Sequence, residues 1–449
     1  MKANVKLRGQ PGDTQHTLAP NRSDAALARS PLQHQARQAY QSEQLLRLIQ
    51  HAYETCPYYT RLFKRLNLSP KMITDRSDLQ RLPLLGRQTV RQHFNDLCSD
   101  RTDIAGAHLH RTAGSTGEPV QILWDKATHR YWQRALLTIV HDYGVQLTHF
   151  LPFQSGLIFV TAFPDNRSYS RPLPHFNYAY GRRLNIHPTH WRSPLETIKF
   201  IHQHQPVLLS GLPEHLLFLQ QLALEADPTR QYPLAPQLVL SGGNTLSQTN
   251  KTRLETYFQA PVVDCYVSQE FGFIGRACSS GYHLDDSLIV EMIKPDGSPA
   301  PPSESGEIVI TSLRNFSMPL IRYRIGDRGQ LATTPCACPT PTPRLDRLEG
   351  RDNQFFIKAD GTLMHPFTFI KHLNQLPLFQ YQVIQQDTAT VVVKYVGDQT
   401  AASIGSQISS CIHQAVGPIT IRLERVTHLG EPGQKIQNFI SFVPTSNND

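Results

Sequence analysis

Apolar positions change their spacing along the chain, and the changes mark out its elements. From Leu32 to Leu66, Leu45, Leu46, Leu48, Ile49, Tyr53, Tyr58, Leu62 and Phe63 recur near helical spacing, and Pro57 interrupts them, so two successive helices are predicted. Another helix is predicted over 126–143, carrying Tyr131, Trp132, Leu136, Leu137, Ile139 and Val140, just after a glycine-rich loop. A helix that follows such a loop suits anion binding. Short apolar runs at 157–160, 207–209, 238–240, 262–263 and 308–310 then alternate with helical patterns at 195–202 and 213–224. That alternation predicts an α/β fold with a mainly parallel sheet. Past Gly350 the pattern changes to strands at 355–357, 382–384, 391–395 and 419–423 around a helix at 403–415. The expected organisation is a polar, frayed tail at 1–29, a large domain at 30–350 that includes the N-terminal helices, and a small α+β domain at 351–444.

Composition narrows the function. No apolar run is long enough to span a membrane, and the N-terminus lacks the succession of a signal peptide, so a soluble, cytoplasmic protein with no membrane partner is expected. Seven cysteines spread over 449 residues do not form a disulfide framework and leave room for a metal site. The net charge of +8 is dispersed rather than gathered into a stripe with interleaved aromatics. It argues for steering of anionic substrates and against a nucleic-acid partner.

The segment Arg111-Thr-Ala-Gly-Ser-Thr-Gly-Glu-Pro119 combines two glycines with three hydroxyls, the composition of a loop whose N–H and O–H groups turn toward phosphate. No lysine follows the second glycine, so the P-loop of nucleotide hydrolases is absent, and an ordinary turn is the alternative. Leu320-Ile-Arg-Tyr-Arg-Ile-Gly-Asp-Arg-Gly329 places Asp327 in a turn after an apolar strand, where a carboxylate can accept both hydroxyls of a ribose, or simply cap the turn. Gly350-Arg-Asp-Asn353 lies at the proposed boundary, and Gly433-Gln-Lys435 lies near the chain end.

The order of these pieces, with Cys265-Tyr-Val-Ser-Gln-Glu-Phe-Gly272 between them, resembles the adenylate-forming enzymes, and within them the phenylacetate-coenzyme A ligase branch with its capsular-polysaccharide-type relatives. Upstream, Cys56-Pro-Tyr-Tyr-Thr-Arg-Leu-Phe63 and Asp78-Leu-Gln-Arg-Leu-Pro-Leu-Leu85 are similar to that branch too, so the resemblance runs from Leu32 to Phe442. It implies ATP-dependent activation of a small carboxylic acid as its acyl-adenylate, then transfer to an acceptor. Coenzyme A is the first choice of acceptor. An amine, or a carrier or protein thiol, and a non-catalytic nucleotide-binding homologue stay open, as does a setting in secondary-metabolite or polysaccharide biosynthesis. A homodimer is the assembly the family implies.

By resemblance, Thr112, Gly114, Ser115, Thr116 and Gly117 hold the phosphates of ATP, Ser241 and Gly242 also bind the cofactor, Tyr266 lies beside the adenine, Asp327 takes the ribose, and Arg351 reaches ribose and phosphate. Glu270 is the Mg²⁺ carboxylate, and Lys435 is the catalytic lysine between carboxylate and α-phosphate. Cys278, His283, Cys336 and Cys338 match a structural Zn²⁺ site of some members, with the donor types a tetrahedral zinc prefers. The resemblance also implies an acyl pocket built from 150–192 and from residues near Ser241 to Asn244 and Tyr266, with Phe153, Phe163, Phe176, Tyr178 and Tyr180 as apolar candidates and His175, Arg182, Arg183 and His187 as polar ones. Val267, Gln269, Asn244 and Asn353 depart from the family's usual residues, and Glu118 is expected to face solvent.

Overall fold

The computed structural model describes residues 31–103, 106–112, 119–145, 156–163, 166–173, 179–338, 340, 342–351, 355–364, 366–430 and 437–443. The first two helices are Pro31–Thr55 and Pro57–Arg65, split where Pro57 takes the first-turn position that its missing N–H tolerates. They bury Leu45, Leu48, Ile49, Tyr59 and Phe63 against residues 284–325. Tyr59 donates its hydroxyl proton to Pro319 O at 2.8 Å, which ties this N-terminal layer to the segment before Asp327.

A twelve-stranded sheet forms the body of the molecule. Its strands at Ala179–Asn185, Leu157–Thr161, Leu208–Gly211, Leu238–Gly242 and Val262–Ser268 lie side by side and parallel, as the alternating pattern predicted. Helices Pro194–His204 and Pro213–Ala226 cover one face, where Ile158, Leu209, Val239 and Val262 pack. Helix Lys126–Asp142 packs on the other, against Leu157, Leu208, Leu238 and Cys265. Beyond Val262–Ser268 the sheet continues antiparallel through Gly272–Cys278, Gly281–Leu284, Arg344–Arg351, Tyr323–Leu331, Gly306–Ser312 and Leu288–Ile293. The parallel run is thus the middle of a larger mixed sheet.

The glycine loop and helix Lys126–Asp142 are not adjacent as expected. The hairpin strand Gln121–Trp124 intervenes, and the Asp125 carboxylate accepts the Thr128 N–H at 2.6 Å, so the helix N-terminus already holds an anion. Residues 356–441 form a separate four-stranded sheet, ordered Thr420–Arg425, Thr390–Val396, Gln380–Gln385, Phe439–Ser441, with helix Ala401–Val416 packed on it. Phe356, Phe369, Tyr395, Ile404 and Ile408 belong to a core of their own there. Among the described residues no helix is long and apolar enough to cross a membrane.

Candidate active site

The C-terminal ends of the parallel strands bring the motif residues together, where ligands of open α/β sheets characteristically bind. Ser241 and Asp264 are register partners on neighbouring strands and share a face. Both are buried, and among the described residues nothing meets the Ser241 hydroxyl or the Asp264 Oδ1. The other oxygen of Asp264 accepts the Tyr282 hydroxyl at 2.5 Å. Burial pushes the Asp264 carboxyl up to about 7, against the pull of that hydrogen bond and of Lys251. Gly242 follows Ser241, and a Cβ there would stand 2.8 Å from Cys265 O, so only glycine fits.

Tyr266, two residues past Asp264, donates its hydroxyl to Asp327 Oδ2 at 2.7 Å, joining two motifs 61 positions apart. Asp327 is not in a turn, as the Gly-Asp pair suggested, but inside the strand Tyr323–Leu331. Gly326 takes φ +86° just before it, and the register slips beside it, so the glycine serves an irregular strand instead of a reversal. The backbone of Arg351 lies opposite Asp327 in the register.

Glu270 is buried in the turn between Val262–Ser268 and Gly272–Cys278, and the Tyr323 hydroxyl donates to its Oε1 at 3.2 Å. A buried carboxylate with one oxygen held by a tyrosine is a hard-oxygen ligand of the kind Mg²⁺ takes. Thr112, the described end of the 112–117 Gly/Ser/Thr segment, is buried, and its hydroxyl oxygen accepts from Val120 N at 2.9 Å and from Arg87 Nη2 at 3.0 Å. Gly114, Ser115, Thr116, Gly117, Glu118, Asn353 and Lys435 lie outside the described residues, as do Phe153, His175, Phe176 and Tyr178.

Cys278, His283, Cys336 and Cys338 converge with all four donor atoms within 4.8 Å of one another. The Cys278 and Cys336 sulfurs are 3.6 Å apart, close to the ~3.8 Å edge of a tetrahedron with zinc–sulfur bonds of about 2.3 Å. His283 Nδ1 is 3.1 Å from Thr342 O, so it suits the proton and leaves Nε2 to face Cys338 Sγ at 2.9 Å. The backbone N–H of Cys338 helps to draw the Cys336 thiol down to about 6, a thiolate-favouring setting. The donor set fits a closed Zn²⁺ site.

Comparison with known proteins agrees with this geometry. The phenylacetate-coenzyme A ligase of Thermus thermophilus is 23% identical over 368 residues, covering 79% of each chain. That of Escherichia coli is 23% identical over 348 residues, covering 71% of this chain and 72% of its own. No family model matches. Among solved structures, 2-hydroxyisobutyryl-CoA ligase in its postadenylation state superposes with a TM-score of 0.73 at 18% identity, over 90% of both chains. The chain is thus similar in sequence to phenylacetate-coenzyme A ligases and shares the fold of the 2-hydroxyisobutyryl-CoA ligase structure.

Several contacts at the site escape the family motifs. Arg87, which reaches Thr112 across 25 positions, and Tyr323, which reaches Glu270 across 53, have no local signal that names their targets. Tyr323 could have been noticed in the Ile-Arg-Tyr-Arg run itself. The acyl-pocket candidates divide. Phe163 packs edge-on against buried His215 at 4.8 Å, whereas Tyr180 is exposed and Arg182 lies over Phe200 at 4.9 Å. His187 is buried with Nδ1 2.8 Å from its neighbour's Thr189 hydroxyl.

Proposed function

We propose that the protein is an AMP-forming carboxylate ligase that converts a small carboxylic acid and ATP into an acyl-adenylate and pyrophosphate, then passes the acyl group to the thiol of coenzyme A. The observation that carries this reading is the Tyr266–Asp327 contact beside Ser241, Gly242 and buried Glu270. It supports a nucleotide floor with a ribose acceptor at one end and a cation ligand at the other.

In the first step a carboxylate oxygen attacks the α-phosphorus, and the bond to the pyrophosphate oxygen breaks. The acid is already ionised near neutral pH, so no general base is required. What the step does require is relief of anion–anion repulsion. In this reading Lys435 bridges the two reacting anions, Arg87 and the 112–117 loop hold the leaving phosphates, and Asp327 with Arg351 fixes the ribose. Glu270 would hold Mg²⁺, which supplies charge neutralisation at the phosphates when bound. In the second step the thiol sulfur attacks the acyl carbon, AMP departs with the bonding pair, and the thiol proton passes to solvent.

The separate core of 356–441 supports reading 351–444 as a mobile lid that brings Lys435 in for the first step and withdraws it for the second. Cys278, His283, Cys336 and Cys338 would hold Zn²⁺, which supplies a cross-link between a hairpin and the 335–343 loop; four protein ligands leave no position for substrate.

The test is pyrophosphate release from purified protein with ATP, Mg²⁺ and a panel of aryl, aliphatic and amino acids, with hydroxylamine as trap and Lys435→Ala as control. Release that needs both an acid and Lys435 supports the reading and names the acid class. Silence across the panel with ATP binding intact sinks it in favour of a non-catalytic homologue.

A further inference from the structure

The turn that carries Glu270 is gripped from outside by one side chain. Arg314 Nη2 donates to Phe271 O at 2.8 Å and to Phe273 O at 3.0 Å, the carbonyls that flank Gly272 just past Glu270. Its Nη1 donates to Ser287 Oγ at 2.6 Å and lies 3.3 Å from Asp285 Oδ1. Both members of that ion pair are buried, at 8% and 7% side-chain exposure. The guanidinium also stacks over Tyr131 with 4.3 Å to the ring centroid, and the Tyr131 hydroxyl donates to the same Asp285 oxygen at 2.9 Å. Both terminal nitrogens and one face of the cation are thus engaged, and two of its bonds end on the turn.

Gly272 itself is at φ +65°, and a Cβ there would lie 2.7 Å from both Trp124 and Trp132. The turn therefore has no side chain of its own at that point to pack, and its path is set by groups around it. Phe271 N donates to Ser268 Oγ at 3.1 Å, Ser268 pairs with Gly272 in the sheet, and the Phe271 ring is buried against Tyr323, so the turn closes a hairpin whose backbone path is set on several sides. Arg314 adds the side-chain grip on the two carbonyls just past Glu270, while the Tyr323 hydroxyl holds the carboxylate itself.

We propose that Arg314 is a positioning residue for Glu270, setting the turn so that the carboxylate can meet a divalent cation bound with ATP. The proposal rests on the reading of Glu270 as the cation ligand. It follows from the tight octahedral demand of Mg²⁺ and from the steep loss that ångström-scale misplacement brings.

The test compares wild type, Arg314→Gln, Arg314→Lys and Asp285→Asn. The affinity for Mn²⁺ is measured by water-proton relaxation in the presence of a non-hydrolysable ATP analogue. The Mg²⁺ concentration for half-maximal pyrophosphate release and ATP affinity without divalent cation are measured beside it. Arg314→Gln should weaken Mn²⁺ binding and raise the Mg²⁺ requirement by the same factor, roughly tenfold, with metal-free ATP affinity unchanged. Lysine should restore part of the loss, and Asp285→Asn should cause a smaller loss of the same kind.

A folded Arg314→Gln protein with wild-type Mn²⁺ affinity overturns the proposal, as does a wild type that binds no Mn²⁺ with the analogue. If the glutamine variant does not fold, the lysine and Asp285→Asn variants decide by the same readout. A wild type that releases no pyrophosphate, yet binds Mn²⁺ in an Arg314-dependent way, sinks the proposed activity and leaves the positioning role standing.

Discussion

Asp264 shows how a single buried group at the site shapes the behaviour of the whole protein. Its folded pKa is raised to about 7 by burial, so the folded state holds its proton over a range where the unfolded chain has released it. Stability contributed by this group is present at acid pH and declines as pH rises from about 4 to about 7, by at most on the order of 4 kcal/mol. Denaturant midpoints across that window should fall more steeply in wild type than in Asp264→Asn. Parallel slopes would mean that the carboxyl is ionised throughout. Two residues on, Tyr266→Phe removes one hydrogen bond to Asp327, and about 1 kcal/mol of lost orientation should raise the KM for ATP roughly fivefold with little effect on kcat. Steady-state titration of ATP checks it, and a pure kcat effect would place Tyr266 elsewhere in the cycle. Tyr266, Glu270 and Asp327 were legible because each sits in a run whose order resembles a family. Arg87, Arg314 and Asp264 were not, because their roles depend on partners such as Thr112, Phe271 and Tyr282, which no local pattern connects to them.

Among the elements, the hairpin Gly272–Cys278 and Gly281–Leu284 has the least freedom to change. Gly281 has φ +133°, and a Cβ there would stand 2.0 Å from Leu345 O in the strand Arg344–Arg351. Gly281→Ala must push these strands apart, and with them Cys278 and His283 away from Cys336 and Cys338. Metal analysis should find one zinc per chain in wild type, as the proposed site requires, and well under one in the purified variant, whose unfolding temperature should fall by several degrees. Full zinc retention would show that the loop cysteines follow the hairpin. The parallel strands were readable because helical and strand-like runs alternate along 157–263. Of the antiparallel half only the run at 308–310 was read, and it was assigned to the parallel alternation, because strands such as Leu288–Ile293 and Gly306–Ser312 are buried on both faces and carry no period-two signal that tells them from parallel strands. Their pairing direction comes from hairpin connections that apolar spacing does not encode.

At the scale of the whole molecule, among the described residues helix Gln248–Phe258 makes directional contacts with the segment that leads into the C-terminal sheet. The Thr249 hydroxyl donates to Leu376 O at 3.1 Å, Asn250 Nδ2 donates to Phe379 O at 2.7 Å, and the Arg253 guanidinium lies 3.8 Å from the centre of the Phe379 ring. The surrounding surface is largely polar, with Asn244, Ser247, Asn374, Gln380 and Asn438 lining a narrow cleft. Contacts of this kind between parts with separate cores favour relative motion over fusion into one core. Hydrogen bonds at about 1 kcal/mol each and a cation–π contact at about 1 kcal/mol are enough to bias a population without locking it. Removing Asn250 and Arg253 together should therefore cost about 2 kcal/mol and shift the balance of placements by roughly thirtyfold. The double alanine variant should keep the stability of each part, gain radius of gyration in solution scattering and lose the difference between its free and ATP-bound curves. An unchanged scattering curve would mean that apolar packing around Leu376 and Leu378 holds the two parts together, so that the helix Gln248–Phe258 is a passive floor instead of a latch.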